Sequence, residues 1–266
     1  MPDTISLAVD RHVATVTLLR PTMPPAFFFE LGAVFEGLAR DRDVRAVVVR
    51  SSAKAFSYGL DLPAAFQEHG HLFAGGGAAN RAELLALIRR LQGTLTAVAA
   101  SPVPVIAAIH GACIGGGLDL AAACDIRLAS ADAKISLREV KVAIVADLGS
   151  LQRLPPIIGQ GHTRELAFTG KTIDAARAQR IGLVNDVLAT HEELYAAAEA
   201  MAREIANNPP LTVRGIKDVL GAGEGKTVAE GLEYVATHNA AFLASEDLGE
   251  AMAAFLEKRE PQYKGR

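Results

Sequence analysis

An α/β core closed by a run of C-terminal helices is the architecture this sequence predicts. Three observations predict it. Short apolar or alternating segments take turns with helical stripes over the first three-quarters of the chain. Beyond the short strand Val184-Asn185-Asp186-Val187, every segment carries helical spacing. The 266 residues, 50% of them hydrophobic, suffice for a sizeable core in one large domain, or in one domain with an appendage.

The elements follow in order. Ile5, Leu7 and Val9 alternate with polar residues, Asp10-Arg11 turns, and Val13 to Leu19 runs apolar, which predicts an N-terminal hairpin. Pro21, Pro24 and Pro25 break the chain before a helix over Phe27 to Ala39, striped by Phe27, Leu31, Val34, Phe35 and Leu38. Val44 to Val49 is the continuous apolar run of a buried strand. Ser51 to Gly77 reads as irregular, and Asn80 to Ala100 as a helix stopped by Ser101-Pro102. Val103 to Ile109 is a buried strand, and Ile126 to Ala129 and Lys134 to Leu137 are two more. Val142 to Leu148 is a loop, followed by a passage punctuated by Pro155 and Pro156. Ile157 to Asn185 holds two short helices, the second capped by Thr172 or Asp174 and stopped by Gly182. Helical patterns then cover Glu192 to Asn207, Leu211 to Leu220, Thr227 to Ala244 and Asp247 to Lys258, and apolar stripes on such a helix-only end suit packing against another subunit.

Composition excludes several partner classes. With 27 basic and 30 acidic residues interspersed, the net charge of −3 points to no nucleic-acid partner. No apolar run reaches membrane length and the N-terminus shows no signal or transit pattern, so a cytoplasmic protein is expected. Cys113 and Cys124 have no metal-ligand spacing, consistent with a reducing compartment.

The chain is organised around Ile109-His110-Gly111-Ala112-Cys113-Ile114-Gly115-Gly116-Gly117-Leu118-Asp119-Leu120, where an apolar run meets a glycine turn and a helix start. Free N–H groups at such a start favour developing negative charge, as an oxyanion requires. A turn in which glycine serves packing alone fits the segment equally well. Three carboxylates nearby are costly to bury: Asp119 inside Gly117 to Ala123, Glu139 after Lys134 to Leu137, and Asp147 in Val142 to Leu148. Isolated acids in one region point to proton transfer between two positions of a substrate.

Other motifs fall short. Gly221 to Thr227 lacks the first glycine of a phosphate loop, since Leu220 stands there, and Leu120 occupies the third glycine position of a dinucleotide fingerprint. Ala55-Phe56-Ser57-Tyr58-Gly59 approximates a nucleophile elbow, with Asp119 or Asp147 and His162 or His238 as partners, but Ser57 is too far from its strand. His69 and His71 read as solvated histidines of a polar loop.

At Lys54-Ala55-Phe56-Ser57-Tyr58-Gly59-Leu60-Asp61-Leu62 and at Ile109 to Asp125 the sequence resembles the crotonase (enoyl-CoA hydratase/isomerase) superfamily. The resemblance implies the crotonase spiral of repeated ββα units over residues 1–205 and a helical oligomerisation region over 206–266, assembled as homo-trimers or homo-hexamers. By position, Leu60 and Gly116 would supply the two N–H groups for an acyl-CoA thioester oxygen, with Tyr58, Gly59, Asp61 and Leu62 lining the substrate. Coenzyme A would be part of the substrate, with no metal or redox cofactor implied. Asp119, Arg138-Glu139-Val140, Ala146 to Pro155 and Tyr234 to Asn239 most resemble the Δ3,5-Δ2,4-dienoyl-CoA isomerases. That likeness implies Glu139 taking a proton from C2, Asp147 delivering one at C6 and Asp119 as a supporting acid. A 2-enoyl-CoA hydratase using Glu139 and Asp119, and a non-catalytic interaction subunit, are the alternatives. Pro25, Tyr58, Lys141 and Ile144 depart from the family pattern; Tyr58 is bulky at the acyl-CoA entrance, and Lys141 either lowers the pKa of Glu139 or points to solvent.

Overall fold

A computed structural model describes residues 4–266. Strands β1 (Ile5–Asp10) and β2 (Val13–Leu18) form the expected antiparallel hairpin. Arg11 and His12 join them with φ of 44° and 69°, both positive as a two-residue primed turn demands. Helix α1 (Pro25–Arg40) follows, then β3 (Ala46–Ser51), α2 (Leu62–Phe73) and α3 (Ala78–Ala99). Next come β4 (Val105–Ile109), β5 (Ala112–Ile114), α4 (Gly116–Ala123), β6 (Ile126–Ser130) and β7 (Lys134–Ser136). Helix α5 (Ser150–Thr169), β8 (Ile173–Asp174), α6 (Ala175–Arg180), β9 (Asp186–Leu188) and α7 (His191–Ala206) complete the core.

The strands divide between two sheets. The larger has the order β1-β2-β3-β4-β6-β9, parallel from β2 onward, and the smaller the order β5-β7-β8. Two successive turns, β4–β5 and β6–β7, each place one strand in the large sheet and the next in the small sheet, as the resemblance implies, and α4, following β5, is buried along its whole length. Phe27, Phe28, Leu31, Phe35 and Leu38 of α1 bury one helical face against the large sheet, each worth about 1.5–3 kcal/mol relative to exposure. Leu194, Ala198, Ala202 and Ala206 of α7 cover the opposite face over Val48, Ile106 and Leu128. Coverage on both faces explains why β3 and β4 read as unbroken apolar runs.

Three segments depart from expectation. The irregular stretch Ser51 to Gly77 contains α2, whose Asp61 cap accepts from the Ala64 N–H and whose first turn holds Pro63. Its only buried residues are Ala65 and Leu72, too few to produce a legible stripe. Helix α1 starts at Pro25, with proline in its first turn where it needs no N–H, so that proline begins the helix. Helix α5 starts at Ser150 and carries Pro155 and Pro156 inside, with non-helical backbone at Gly159 (φ 79°, ψ 159°) marking the kink.

Helices α8 (Pro210–Gly223), α9 (Val228–Phe242) and α10 (Glu246–Glu257) finish the chain and surround a cavity of about 380 Å³ that includes none of the three acids. Val228, Phe255 and Leu256 are exposed, and Leu220 is exposed at the cavity lining. Asp247 accepts the Lys264 and Gly265 N–H groups at 2.7 and 2.9 Å, pinning the tail. Among the described residues no helix is long and apolar enough to cross a membrane.

Candidate active site

Two backbone segments meet at the centre of the site. Residues 56–57 pair with the chain at 110–114: Phe56 N donates to His110 O at 2.8 Å, Ser57 N to Ala112 O at 2.8 Å and Ile114 N to Ser57 O at 2.9 Å. Met23 N donates to Gly59 O at 2.9 Å and Asp61 N to Met23 O at 3.0 Å, which fixes the far side of the Leu60 peptide. The N–H groups of Leu60 and Gly116 are left without an acceptor among the described residues. They are neighbours, because a Cβ built on Gly116 would stand 3.7 Å from Leu60 N. Unpaired amides at the first residue of α4 can hold an oxygen on which negative charge develops.

Gly59 is required where it stands. Its φ is +84°, and a Cβ there would meet Ile114 O at 2.7 Å and Gly116 N at 3.1 Å, with rigid backbone on the receiving side. Gly59→Ala is therefore expected to displace the Leu60 amide and lower kcat by about 10²–10³-fold, the cost of losing one oxyanion donor. Steady-state kinetics beside a circular-dichroism melt will separate that loss from unfolding.

The acids converge from three elements. Asp119 lies in the first turn of α4, and its Oδ1 accepts the Ser150 N–H from the first turn of α5 at 2.6 Å. It is 1% exposed. Burial, against the relief of the Ser150 groups, pushes its carboxyl up to about 6, and the charge of Asp147 adds to the rise. Glu139 opens a 3₁₀ turn, Glu139–Val142, that ends in a left-handed Ala143 (φ 57°). The turn packs on Gly170, where a Cβ would stand 2.8 Å from Val140 Cγ1. Glu139 Oε1 reaches back to the glycine segment, 3.1 Å from where a Cβ on Gly115 would be. Its Oε2 is buried without a hydrogen-bond partner in the protein. Burial, then the charges of Asp119 and Asp147, lift its carboxyl to about 7. Asp147 is likewise raised by burial. Its loop is held by Gln92 Nε2 on the Asp147 carbonyl at 2.6 Å and by Arg153 Nη1 on the Leu148 carbonyl at 3.2 Å.

Holding Asp119 in this state costs stability. The folded protein binds its proton more tightly than the unfolded chain does, so stability falls as pH rises from the ordinary 3.8 to about 6. A displacement of that size is on the order of 3 kcal/mol above the window. Asp119→Asn keeps an oxygen for the Ser150 N–H, and the otherwise unpartnered Ser150 Oγ can accept from the new amide. Its expected effect is to stabilise the fold by about 1–3 kcal/mol near pH 8 and to lessen the dependence above pH 4 to that of Glu139 and Asp147, which are also raised, measured by urea unfolding.

The remaining candidates separate clearly. Tyr58 is 44% exposed beside Lys54, whose Nζ lies 5.5 Å from the ring centre. Both Asp61 oxygens are occupied, by the Thr22 hydroxyl at 2.9 Å and the Ala64 N–H at 3.1 Å; Leu62 begins α2. Lys141 is exposed with its stem against Gly170, and Glu139 is shifted up rather than down. Ser57 is no nucleophile: its buried Oγ accepts from Gly59 N at 2.9 Å, His162 lies by Glu165 and Arg177, and His238 packs on Gly215. His69 and His71 stand by Glu68 and Glu83 at 3.4 Å each. Gln92, which holds the Asp147 loop, carries no motif in the sequence, and the role of Ser150 on Asp119 is not legible in the segment that contains it.

Comparison with known proteins places nearly the whole chain in one family. The family described as "Enoyl-CoA hydratase/isomerase" matches residues 9–266. The Dictyostelium discoideum protein named "Delta(3,5)-Delta(2,4)-dienoyl-CoA isomerase, mitochondrial" is 43% identical over 260 residues, covering 95% of this chain and 87% of its own. A peroxisomal protein of the same activity name from Arabidopsis thaliana is 41% identical over 238 residues, covering 89% and 86%. The crystal structure of an enoyl-CoA hydratase from Bacillus anthracis superposes with a TM-score of 0.90 at 32% identity, covering 99% of this chain and 100% of that one.

Proposed function

This chain belongs to the enoyl-CoA hydratase/isomerase family, and from that premise we propose that it converts a 3,5-dienoyl-CoA into the 2,4-dienoyl-CoA. Glu139 takes a proton from C2, the thioester oxygen receives the resulting charge at the Leu60 and Gly116 N–H groups, and Asp147 delivers a proton at C6. The diene conjugates the C2 anion through C4 to C6, so the two proton stations must be separate groups in opposite protonation states. The observation that carries this reading is the buried Asp119 carboxyl and the buried, unpartnered Glu139 Oε2 near two amides without an acceptor, and burial raises both carboxyls and that of Asp147.

Asp119 supports the isomerase over the hydratase. A hydratase needs two carboxylates on one water, whereas Asp119 is buried with its Oδ1 on the Ser150 N–H. Its role here is to hold the start of α5 and to raise the proton affinity of Glu139. Purified protein offered a 3,5-dienoyl-CoA and crotonyl-CoA, followed by diene absorbance and enoyl loss, tests the proposal. Diene conversion supports it; hydration of crotonyl-CoA without diene conversion favours the hydratase; turnover of neither favours a non-catalytic subunit.

Coenzyme A enters as the substrate's own carrier group. We further place residues 206–266 at the contacts of a trimer or hexamer, because the exposed apolar side chains of α8 and α10 suit subunit packing. Two buried, unbridged cysteines, Cys113 and Cys124, support a reducing compartment, of which the cytoplasm is one.

A further inference from the structure

We propose that His110, held by Tyr195, is a positioning residue that sets the spacing of the Leu60 and Gly116 amides. Both amide-bearing segments depart from one point. His110 ends the run of β4 and its imidazole is 2% exposed. Its Nε2 is 3.0 Å from Ala53 O, and its own carbonyl accepts the Phe56 N–H at 2.8 Å. The residue thus binds the chain leading to Leu60 through both side chain and backbone, while being covalently part of the chain leading to Gly116.

The hydrogen count explains why an imidazole is needed. A carbonyl can only accept, so Nε2 carries the proton. Burial lowers the pKa of His110 and so favours the neutral ring, in which Nδ1 is an acceptor. The Tyr195 hydroxyl, from the first turns of α7, stands 3.0 Å from Nδ1 and 2.8 Å from Ser51 O, and shares its single proton between them. Tyr195 therefore ties the ring to the end of β3, where the other segment begins. Gly111, next to His110, closes the junction: its φ is +56° and a Cβ there would meet Lys54 O at 3.2 Å and Ala55 Cα at 3.3 Å. On the outer side, Asp132 bonds the His191 Nε2 at 3.0 Å, and the His191 ring lies 4.5 Å from that of His110. None of these groups is among the proton-transfer acids, yet every hydrogen bond that registers the two amide segments lies between this junction and Leu60.

The inference rests on the acyl-CoA reading of the site, and its test is chosen to separate the two. Tyr195→Phe removes only the hydroxyl; His110→Leu removes both ring bonds; His110→Gln restores a donor at the Nε2 position. The readouts are kcat and KM on a 3,5-dienoyl-CoA, and the shift to longer wavelength of the absorption band of a bound 2,4-dienoyl-CoA, which reports polarisation of its carbonyl by the amides. Tyr195→Phe and His110→Leu are expected to lower kcat about tenfold or more, with KM within about twofold, and to diminish the band shift. His110→Gln is expected to regain part of both. A melting temperature lowered with kcat and band shift unchanged assigns the junction to stability alone and overturns the inference. Should His110→Leu fail to fold, Tyr195→Phe and His110→Gln carry the test. Wild-type protein that shifts the band without converting the diene would sink the isomerase reading while leaving the positioning test intact. Wild-type protein that shows no band shift overturns both.

Discussion

Glu139→Gln is expected to lower kcat on a 3,5-dienoyl-CoA by about 10²–10⁴-fold, the range for removal of a positioned base. Its carboxyl is pushed up to about 7 by burial, with the charges of Asp119 and Asp147 adding to the effect. One oxygen, Oε2, is buried without a protein partner and so is free for a substrate proton. A base must be ionised and a donor protonated to act, so kcat/KM of the wild-type enzyme should be bell-shaped in pH, with a limb near 7 belonging to Glu139 and a second limb belonging to Asp147. Removing the Asp119 charge relieves part of the repulsion, so Asp119→Asn should move the Glu139 limb to lower pH. The measurement is the pH profile of kcat/KM for wild type and both variants. A Glu139 limb that ignores Asp119→Asn would remove Asp119 from the electrostatics of the base.

Asp147→Asn should divide the reaction in two. The amide cannot deliver a proton at C6, so diene conversion is expected to fall by about 10²-fold or more. Abstraction at C2 needs only Glu139 and the Leu60 and Gly116 amides, so exchange of the C2 hydrogen with deuterated solvent should persist. Burial raises the Asp147 carboxyl above its ordinary value, the direction a proton donor requires. Mass spectrometry of recovered substrate measures the exchange while absorbance follows conversion. Loss of both together would show that Asp147 supports the first step and is no second station. Gln92 and Arg153, which bond the Asp147 and Leu148 carbonyls, make that loop a fixed support for the donor.

Much of the fold was legible because it rests on local pattern. The runs at Val44 to Val49 and Val103 to Ile109 and the stripe of Phe27, Leu31 and Phe35 each report one face or two faces buried, whereas the alternation of Ile5, Leu7 and Val9 marks a strand of which only Ile5 is buried. Helix α2 was illegible for the same reason, since it buries only Ala65 and Leu72. Of the site, Gly116 and Asp119 stood out as a glycine turn and a charge in an apolar run. Leu60 emerged only through the likeness of its segment to a family. Gln92 emerged from neither, and Ser150 stood inside the family-like segment Ala146 to Pro155 without its role being legible, because the two act across 55 and 31 residues of sequence.

By itself the sequence determined where chain direction changes and which acids lie in apolar surroundings, since glycine, proline and hydrophobic spacing act within a few residues. Tertiary structure decided the rest. It alone set Leu60 N beside Gly116 N, through backbone hydrogen bonds joining residues 56–57 to 110–114. It also decided that Asp119 is held on the Ser150 N–H while Glu139 keeps an open oxygen. Proton affinity depends on how much water and charge surround a carboxyl, and that surrounding exists only once distant elements pack around it.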